Sequence, residues 1–408
     1  MSDVAVLRTL RSELECELTE RILPYWLTRA VDQRQGGFVG FISGDEVVQE
    51  DAPRGAILNA RILWTFAAAY RALPRPEYGA AAERAAGYIR DHFLDPEHGG
   101  VYWMVDGAGA PLDTRKHVYA QAFAIYALSE HARALGDPVS RQQAIDLYRL
   151  VEQHAADLVR GGYQEAFSRE WTLLDDVRLS DVDADERRSM NTHLHLLEAY
   201  AGLARVWDDP APRARLRALI QVFLDHILDP ATGHLHLFFD DDWQPRSHVV
   251  SFGHDIEASW LLLEAADVLG DDALRAAVHR ACLHTAQAVL REGVDPQGGL
   301  YNEAEPAGVL DTDKEWWPQA EAIVGFLNAY QETGRREFLD ASRAVWAFTR
   351  AHISDRQHGE WFRRVARNGS VRPGHEKLGP WKCPYHNARA CLEIMARVDR
   401  LAAEIPAR

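Results

Sequence analysis

The sequence predicts an all-α fold: an (α/α)6 barrel of twelve helices, one domain spanning residues 1–408, with short β-hairpins on one rim. Three observations predict it. A glycine-rich turn followed by an aromatic or apolar residue recurs six times, a helical segment precedes most copies, and a second, more apolar helix follows. The copies are Gly36-Gly37-Phe38, Gly99-Gly100-Val101-Tyr102, Gly161-Gly162-Tyr163, Gly233-His234-Leu235, Gly298-Gly299-Leu300-Tyr301 and Gly359-Glu360-Trp361-Phe362. They stand roughly 60 to 70 residues apart, the period of a supersecondary repeat.

Segments such as 83–93, 141–158 and 336–352 lead into the turns as outer helices. A short strand-like alternation follows, clearest in His234-Leu235-His236-Leu237-Phe238-Phe239. Inner helices are predicted over 59–73, 116–134, 191–207, 254–269, 317–333 and 386–401. Their apolar residues recur at i, i+3, i+4 and i+7, as in Leu261, Leu262, Ala265 and Val268. Their one proline, Pro318, falls in a first turn, where its missing N–H would have no partner anyway. A closed ring buries the terminal repeats against each other, so polar capping repeats are unnecessary. No Gly/Ser/Pro-rich linker divides the chain.

Hydrophobic residues make up 47% and charged residues 26%, enough for a large core. A net charge of −16 opposes nucleic acid and anionic membrane surfaces, which attract basic patches. No apolar run of about 18 residues is present, and the first residues lack the apolar stretch of a signal peptide. Cys16, Cys282, Cys383 and Cys391 form no CxxC pair, so free thiols in a reducing cytoplasm are expected. A monomer is expected. The sequence has no GxGxxG after a strand, no GxxxxGK[ST] and no GxSxG, so neither a nucleotide cofactor nor a serine nucleophile is expected.

The chemistry gathers where the inner helices begin. Their first turns carry Arg61, Tyr119, His195, His254 with Glu257, Trp317 with Glu321, and His386. Helix starts ordinarily favour Ser, Thr, Asp and Asn. In a six-fold ring the inner helices run parallel, so these side chains converge on one cavity mouth. Plain structural readings exist for each: Arg61 as a buried ion-pair residue, Tyr119 as core, His254 and Glu257 as a capping pair one turn apart. His193 and His195 face different ways on a helix, so one of them belongs behind the wall. His234, His236 and His248, near a predicted hairpin, are the one candidate zinc set. No HExxH and no carboxylate or cysteine at ligand spacing supports it, so no metal is expected.

These segments resemble the N-acylglucosamine 2-epimerase superfamily and, within it, the bacterial cellobiose 2-epimerases. The resemblance rests on Asn59-Ala60-Arg61-Ile62-Leu63-Trp64, Lys116-His117-Val118-Tyr119-Ala120-Gln121 and Met190-Asn191-Thr192-His193-Leu194-His195. It continues through Ser251-Phe252-Gly253-His254-Asp255-Ile256-Glu257-Ala258-Ser259-Trp260, Trp316-Trp317-Pro318-Gln319-Ala320-Glu321-Ala322 and Trp381-Lys382-Cys383-Pro384-Tyr385-His386-Asn387. The combination is specific, and it covers nearly the whole chain. It implies an (α/α)6 barrel, with His254 and His386 matching the acid/base pair, Arg61 the arginine beside the sugar oxygens, and Glu257 the supporting acid. It implies substrate-binding positions at Tyr119, Asn191, His195, Glu321, Trp260, Trp317 and Trp381.

The implied reaction inverts C2 of a reducing-end glucose in a β-1,4-linked disaccharide, cellobiose or lactose, with ketose as a side product. It requires ring opening, removal of the C2 proton and an enediolate. Histidine suits it because an imidazole with a pKa near 6.5 accepts and returns a proton around neutrality. The nearest rivals are N-acylglucosamine 2-epimerase and mannose isomerase, which share the chemistry. An (α/α)6 glycoside hydrolase would use a carboxylate pair, with Glu257 and Glu321 as candidates, and would leave the histidines without a role. A sugar-binding protein would keep the tryptophans and need no histidine pair.

Overall fold

The computed structural model describes residues 2–180 and 184–404. Its outer helices are α1 (Asp3–Glu17) and α2 (Leu23–Thr28), joined through a π turn at Leu18–Ile22 into one rod, then α4 (Pro76–Tyr88), α6 (Pro138–His154), α8 (Pro210–Val222), α10 (Asp272–Glu292) and α12 (Arg336–Phe348). The inner helices are α3 (Ala56–Ala72), α5 (Val118–Leu135), α7 (Met190–Ala204), α9 (Phe252–Leu269), α11 (Trp316–Thr333) and α13 (Tyr385–Glu404). Each inner helix packs on the next, and α13 packs on α3, which closes the ring. The α1 rod packs on α13, so the two ends of the chain complete one barrel.

Local sequence explains the elements. The inner helices are apolar on nearly every face because each is enclosed by two ring neighbours and an outer helix. In α9, thirteen residues from Phe252 to Ala266 are buried. The outer helices bury one stripe only, as α12 does with Phe338, Leu339, Val345 and Trp346. Pro76, Pro138 and Pro210 each open an outer helix, where a fixed φ favours the first turn. α5, α9 and α11 stop at Gly136, Gly270 and Gly334, each left-handed (φ 72°, 67° and 70°).

Short strands run around the rim where the inner helices begin. They are β1 (Arg54–Gly55), β2 (Met104–Val105), β3 (Pro111–Asp113), β4 (Lys116–His117), β5 (Ala166–Phe167), β6 (Arg188–Ser189), β7 (Phe238–Phe239), β8 (Val250–Ser251), β9 (Glu303–Glu305), β10 (Gly308–Asp311), β11 (Lys314–Glu315) and β12 (Arg364–Val365). The strand entering one inner helix pairs antiparallel with the strand after the next glycine turn: β1 with β2, β4 with β5, β6 with β7, β8 with β9 and β11 with β12. A bridge from Ile42 to Leu378 stands at the seam between the last repeat and the first. These pairings fix the helix starts relative to one another.

The twelve rods and rim hairpins agree with the sequence prediction. Helix ends differ by a few residues, and three differences have a local cause. Lys116 and His117 pair as strand, and α5 starts at Val118. The outer helix read as 141–158 ends at His154, because Asp157 turns the chain. Within 234–239 only Phe238–Phe239 forms a strand, while Leu235 makes an isolated bridge to Leu228. Among the described residues no helix is long and apolar enough to cross a membrane. The four cysteines are free; Cys16 is exposed and the others are buried.

Candidate active site

A cavity of about 460 Å³ opens at the N-terminal ends of the inner helices. Arg61, Tyr119, Asn191, His195, His254, Glu257, Trp317, Trp381 and His386 all line it. Each stands within the first two turns of its inner helix or just before one, so the parallel ring delivers them to one mouth.

His254 and His386 pack against the same indole. The Trp317 ring lies 4.6 Å from the His254 ring and 5.6 Å from the His386 ring, centre to centre. Nδ1 of His254 is 2.8 Å from Ser251 Oγ. Ser251 is the N-cap residue of α9, yet its hydroxyl makes no capping bond. A helix cap, typically worth about 1 kcal/mol, is given up to orient a histidine. Burial, then the neighbouring His195 and Arg61, push the His254 pKa down to about 3. His386 turns Nδ1 to Glu321 Oε1 at 2.7 Å, with Glu257 Oε1 at 3.9 Å. Burial, then Arg61 and Arg389, hold it well below the ordinary imidazole value. With each Nδ1 engaged, Nε2 is left as the nitrogen for chemistry, and both rings are neutral near pH 7.

Neutrality of His254 is directly checkable. A lowered pKa moves protonation to lower pH, so the imidazole stays uncharged where a free one would gain its proton near 6.5. NMR of the free protein labelled at histidine nitrogens should show the His254 ring neutral from pH 8 down to pH 5. A midpoint at or above 6.5 would overturn this account of the ring.

Arg61 supplies a buried fixed positive charge to the cavity. Its guanidinium lies 4.2 Å from the Phe123 ring centre and donates to Tyr119 Oη at 2.9 Å. His195 holds Nδ1 3.1 Å from Glu198 Oε2 and presents its ring edge-on to Tyr119. Neighbouring His193 faces away. Its Nε2 accepts the Tyr163 amide at 2.9 Å and its Nδ1 donates to the Ser189 carbonyl at 2.7 Å. It braces the rim.

Trp260 and Glu321, expected at the substrate, stand behind the cavity wall. Trp260 is 1% exposed, and its indole N–H donates to Glu321 Oε2 at 3.1 Å. Glu321 in turn holds His386. The indoles on the wall are Trp316, Trp317 and Trp381.

Beneath the floor lies a cluster that sequence reasoning missed. Arg389 is buried and donates to Glu198, Glu257 and Glu321, the last at 2.7 Å. Tyr385 also donates to Glu198. Burial, followed by Glu321, raises the Glu257 carboxyl to about 7, against the pull of Arg389. Burial would raise Glu198 too, but Arg389, His195 and Tyr385 outweigh it and hold it near 2. Glu257 keeps one oxygen, Oε2, without a protein partner. A signal was present: Arg389 is three residues after His386 and Glu198 three after His195, so each shares its histidine's helix face.

Glu257, Glu321 and His386 also offer three ligand atoms within 4.8 Å of one another. Arg389 already bonds both carboxylates, so a metal ion there would have to displace a buried guanidinium. The three histidines considered for zinc do not form a cluster among the described residues. His234 instead lies between Asp255 at 2.7 Å and Glu292 at 3.2 Å.

Comparison with known proteins shows the fold and the family. The model of the family described as N-acylglucosamine 2-epimerase (GlcNAc 2-epimerase) matches residues 36–390. A cellobiose 2-epimerase from Bacteroides fragilis is 50% identical over 387 residues, covering 95% of this chain and 98% of its own. The structure of cellobiose 2-epimerase from Spirochaeta thermophila superposes with a TM-score of 0.90 at 41% identity, covering 98% of each chain. That from Bacillus thermoamylovorans gives 0.92 at 38%, covering 96% of this chain and all of the other. The chain belongs to the N-acylglucosamine 2-epimerase family.

Proposed function

We propose that the protein inverts C2 of the reducing-end glucose of cellobiose and related β-1,4-linked disaccharides such as lactose, as a cellobiose 2-epimerase. The observation that carries this reading is the pair of neutral imidazoles, His254 and His386, packed on one tryptophan beside the Arg61 cation. The 50% identity to the Bacteroides fragilis enzyme supports the substrate.

Ring opening exposes the C1 aldehyde and makes the C2 proton acidic. One imidazole takes that proton, and the negative charge spreads over C2, C1 and O1. Arg61 stabilises the developing enediolate oxygen. The second imidazole, neutral in the free protein, takes a proton from solvent as negative charge develops on the substrate beside it and delivers that proton to the opposite face of C2; the first then returns its proton to solvent. Glu321 and Glu257, beside Nδ1 of His386, stabilise the imidazolium it forms. In the reverse reaction the two exchange roles. Trp317 and Trp381 stack on sugar faces, while Tyr119, Asn191 and His195 hold hydroxyls.

Incubation with cellobiose and chromatography of the products tests the reading. Glucosyl-mannose supports it. Glucosyl-fructose as the main product makes the protein an isomerase, free glucose a hydrolase, and unchanged cellobiose a binder. Cellobiose is expected to turn over faster than N-acetylglucosamine, because indoles at separate points of the wall suit more than one ring. Equal or faster turnover of N-acetylglucosamine would overturn that preference. Prolonged dialysis against a chelator should leave the rate unchanged, since Arg389 is the cation of the carboxylate cluster. Loss restored by zinc or manganese would refute a mechanism run by side chains alone.

A further inference from the structure

The six repeats share a buried device that one of them lacks. In five repeats, an aspartate of the turn accepts a basic side chain from the segment entering the next inner helix. The pairs are Asp32 with Arg54 at 2.5 Å, Asp95 with Lys116 at 3.0 Å, Asp157 with Arg188 at 2.6 Å, Asp295 with Lys314 at 2.7 Å and Asp355 with Lys377 at 2.8 Å. Each cation also lies over a ring: Tyr88, Tyr102, Trp243, Tyr301 and Phe362, at 4.5 to 4.9 Å. Two of the aspartates take a second cation from the adjoining hairpin, Arg169 or Arg367.

The fourth repeat keeps the aspartate and loses the rest. Asp229 accepts the Ala231 amide and the Thr232 hydroxyl, each at 2.9 Å. The place of the basic residue, two before the inner helix in four of the five, is taken by Val250. The hairpin that carries Arg169 in one repeat and Arg367 in another here reads Glu305-Pro306-Ala307-Gly308. Both long side chains are therefore missing, and a cavity of about 680 Å³ opens between Asp229 and Val250.

The turn itself records the extra room. A Cβ on Gly100 would come within 2.7 Å of the Trp171 ring and 3.3 Å of the Lys116 stem. On Gly162 it would come within 2.5 Å of the Trp243 ring. The equivalent residue is Glu360 in the sixth repeat and His234 in the fourth, where Val250 and Gly308 stand in place of those fillers. His234 does not replace the lost cation at Asp229, since its nitrogens turn to Asp255 and Glu292. His236 stands where Tyr102 stands in the second repeat and supplies a ring on the cavity wall. Asp229, Glu292 and Glu305 outnumber Arg291, which pairs with Glu292.

We propose that this cavity is a binding site, separate from the epimerase cavity, for a small organic cation bearing a guanidinium or primary ammonium group. The ligand's cationic group sits at Asp229 with His236 beside it, as arginine or lysine does in the other five repeats. The cavity lies against β8 and Phe252, the entry to α9, and shares no lining residue with the epimerase cavity. The site therefore stands whether or not the proposed reaction is confirmed.

Agmatine, which carries a guanidinium and a primary amine, is a suitable probe. Calorimetry or NMR titration of the full chain should show one agmatine bound, with shifts at His236 and Val250. Val250→Arg supplies the missing cation from within, so it should raise Tm and weaken agmatine binding at least tenfold. Asp229→Asn should weaken binding as much without filling the cavity, which covers the case in which Val250→Arg fails to fold. Absence of binding at 20 mM agmatine, or binding untouched by Asp229→Asn, would overturn the proposal. Dimerisation that Asp229→Asn abolishes would place a basic side chain of a second copy there, and would equally overturn the small-molecule assignment.

Discussion

Replacing His254 or His386 with Ala is expected to slow epimerisation of cellobiose about 10²–10⁴-fold, the usual contribution of a general acid–base group. In heavy water the wild-type product should carry deuterium at C2 and little elsewhere, because the imidazoles exchange their protons with solvent. The single variants offer a sharper reading. A protein left with one imidazole can still exchange the C2 proton of one epimer from one face without completing inversion. NMR of each sugar separately, incubated with each variant in heavy water, reads this directly. Product without C2 deuterium would exclude proton exchange with solvent and favour a hydride shift or a shielded proton. Full activity in either variant would remove that histidine from the mechanism. Arg61→Ala should be impaired comparably, since the enediolate then loses the cation beside its oxygen.

Arg389→Met is expected to be the most damaging substitution outside the cavity wall. It would leave Glu198, Glu257 and Glu321 buried without their shared cation. Breaking a buried pair from one side costs about 3–5 kcal/mol, because an uncompensated charge remains. Urea unfolding should show that loss. The kcat should fall as well, since Glu321 would no longer be fixed opposite His386. Adding Glu198→Gln removes the carboxylate that Arg389 holds ionised, so the double variant should recover part of the stability. An Arg389→Met protein as stable and as active as wild type would show that the cluster neither supports the fold nor positions His386.

Much of the site is legible in the chain because a closed ring has little freedom. Once six glycine turns set the period and six apolar helices follow them, residues in the first turns of those helices must share a rim. Arg61, Tyr119, His195, His254, Trp317 and His386 could thus be placed together without coordinates. The i, i+2 argument likewise separated His193 from His195, and the structure sends the first to the Tyr163 amide and the second to the cavity.

Depth was not legible. Trp260 and Trp317 are both substrate-binding positions by resemblance, yet the first is buried behind Glu321 and the second stands between the two histidines. Ser251 takes the N-cap place of α9, but its hydroxyl is committed to His254. The pairing of aspartates with basic residues across each repeat is equally invisible along the chain, because 20 to 30 residues separate most partners and only hairpin pairing brings them together.

The sequence by itself determined the repeat, the barrel and the rim on which the chemistry gathers, since these follow from hydrophobic period and turn residues that act locally. Only the tertiary structure decided which of the gathered side chains face substrate and which stand behind them. It also decided that one arginine bonds three carboxylates, and that the fourth repeat encloses open volume in place of a lysine or arginine. Those outcomes depend on packing between helices far apart in sequence, where a shift of a few ångströms separates a wall residue from a buried one.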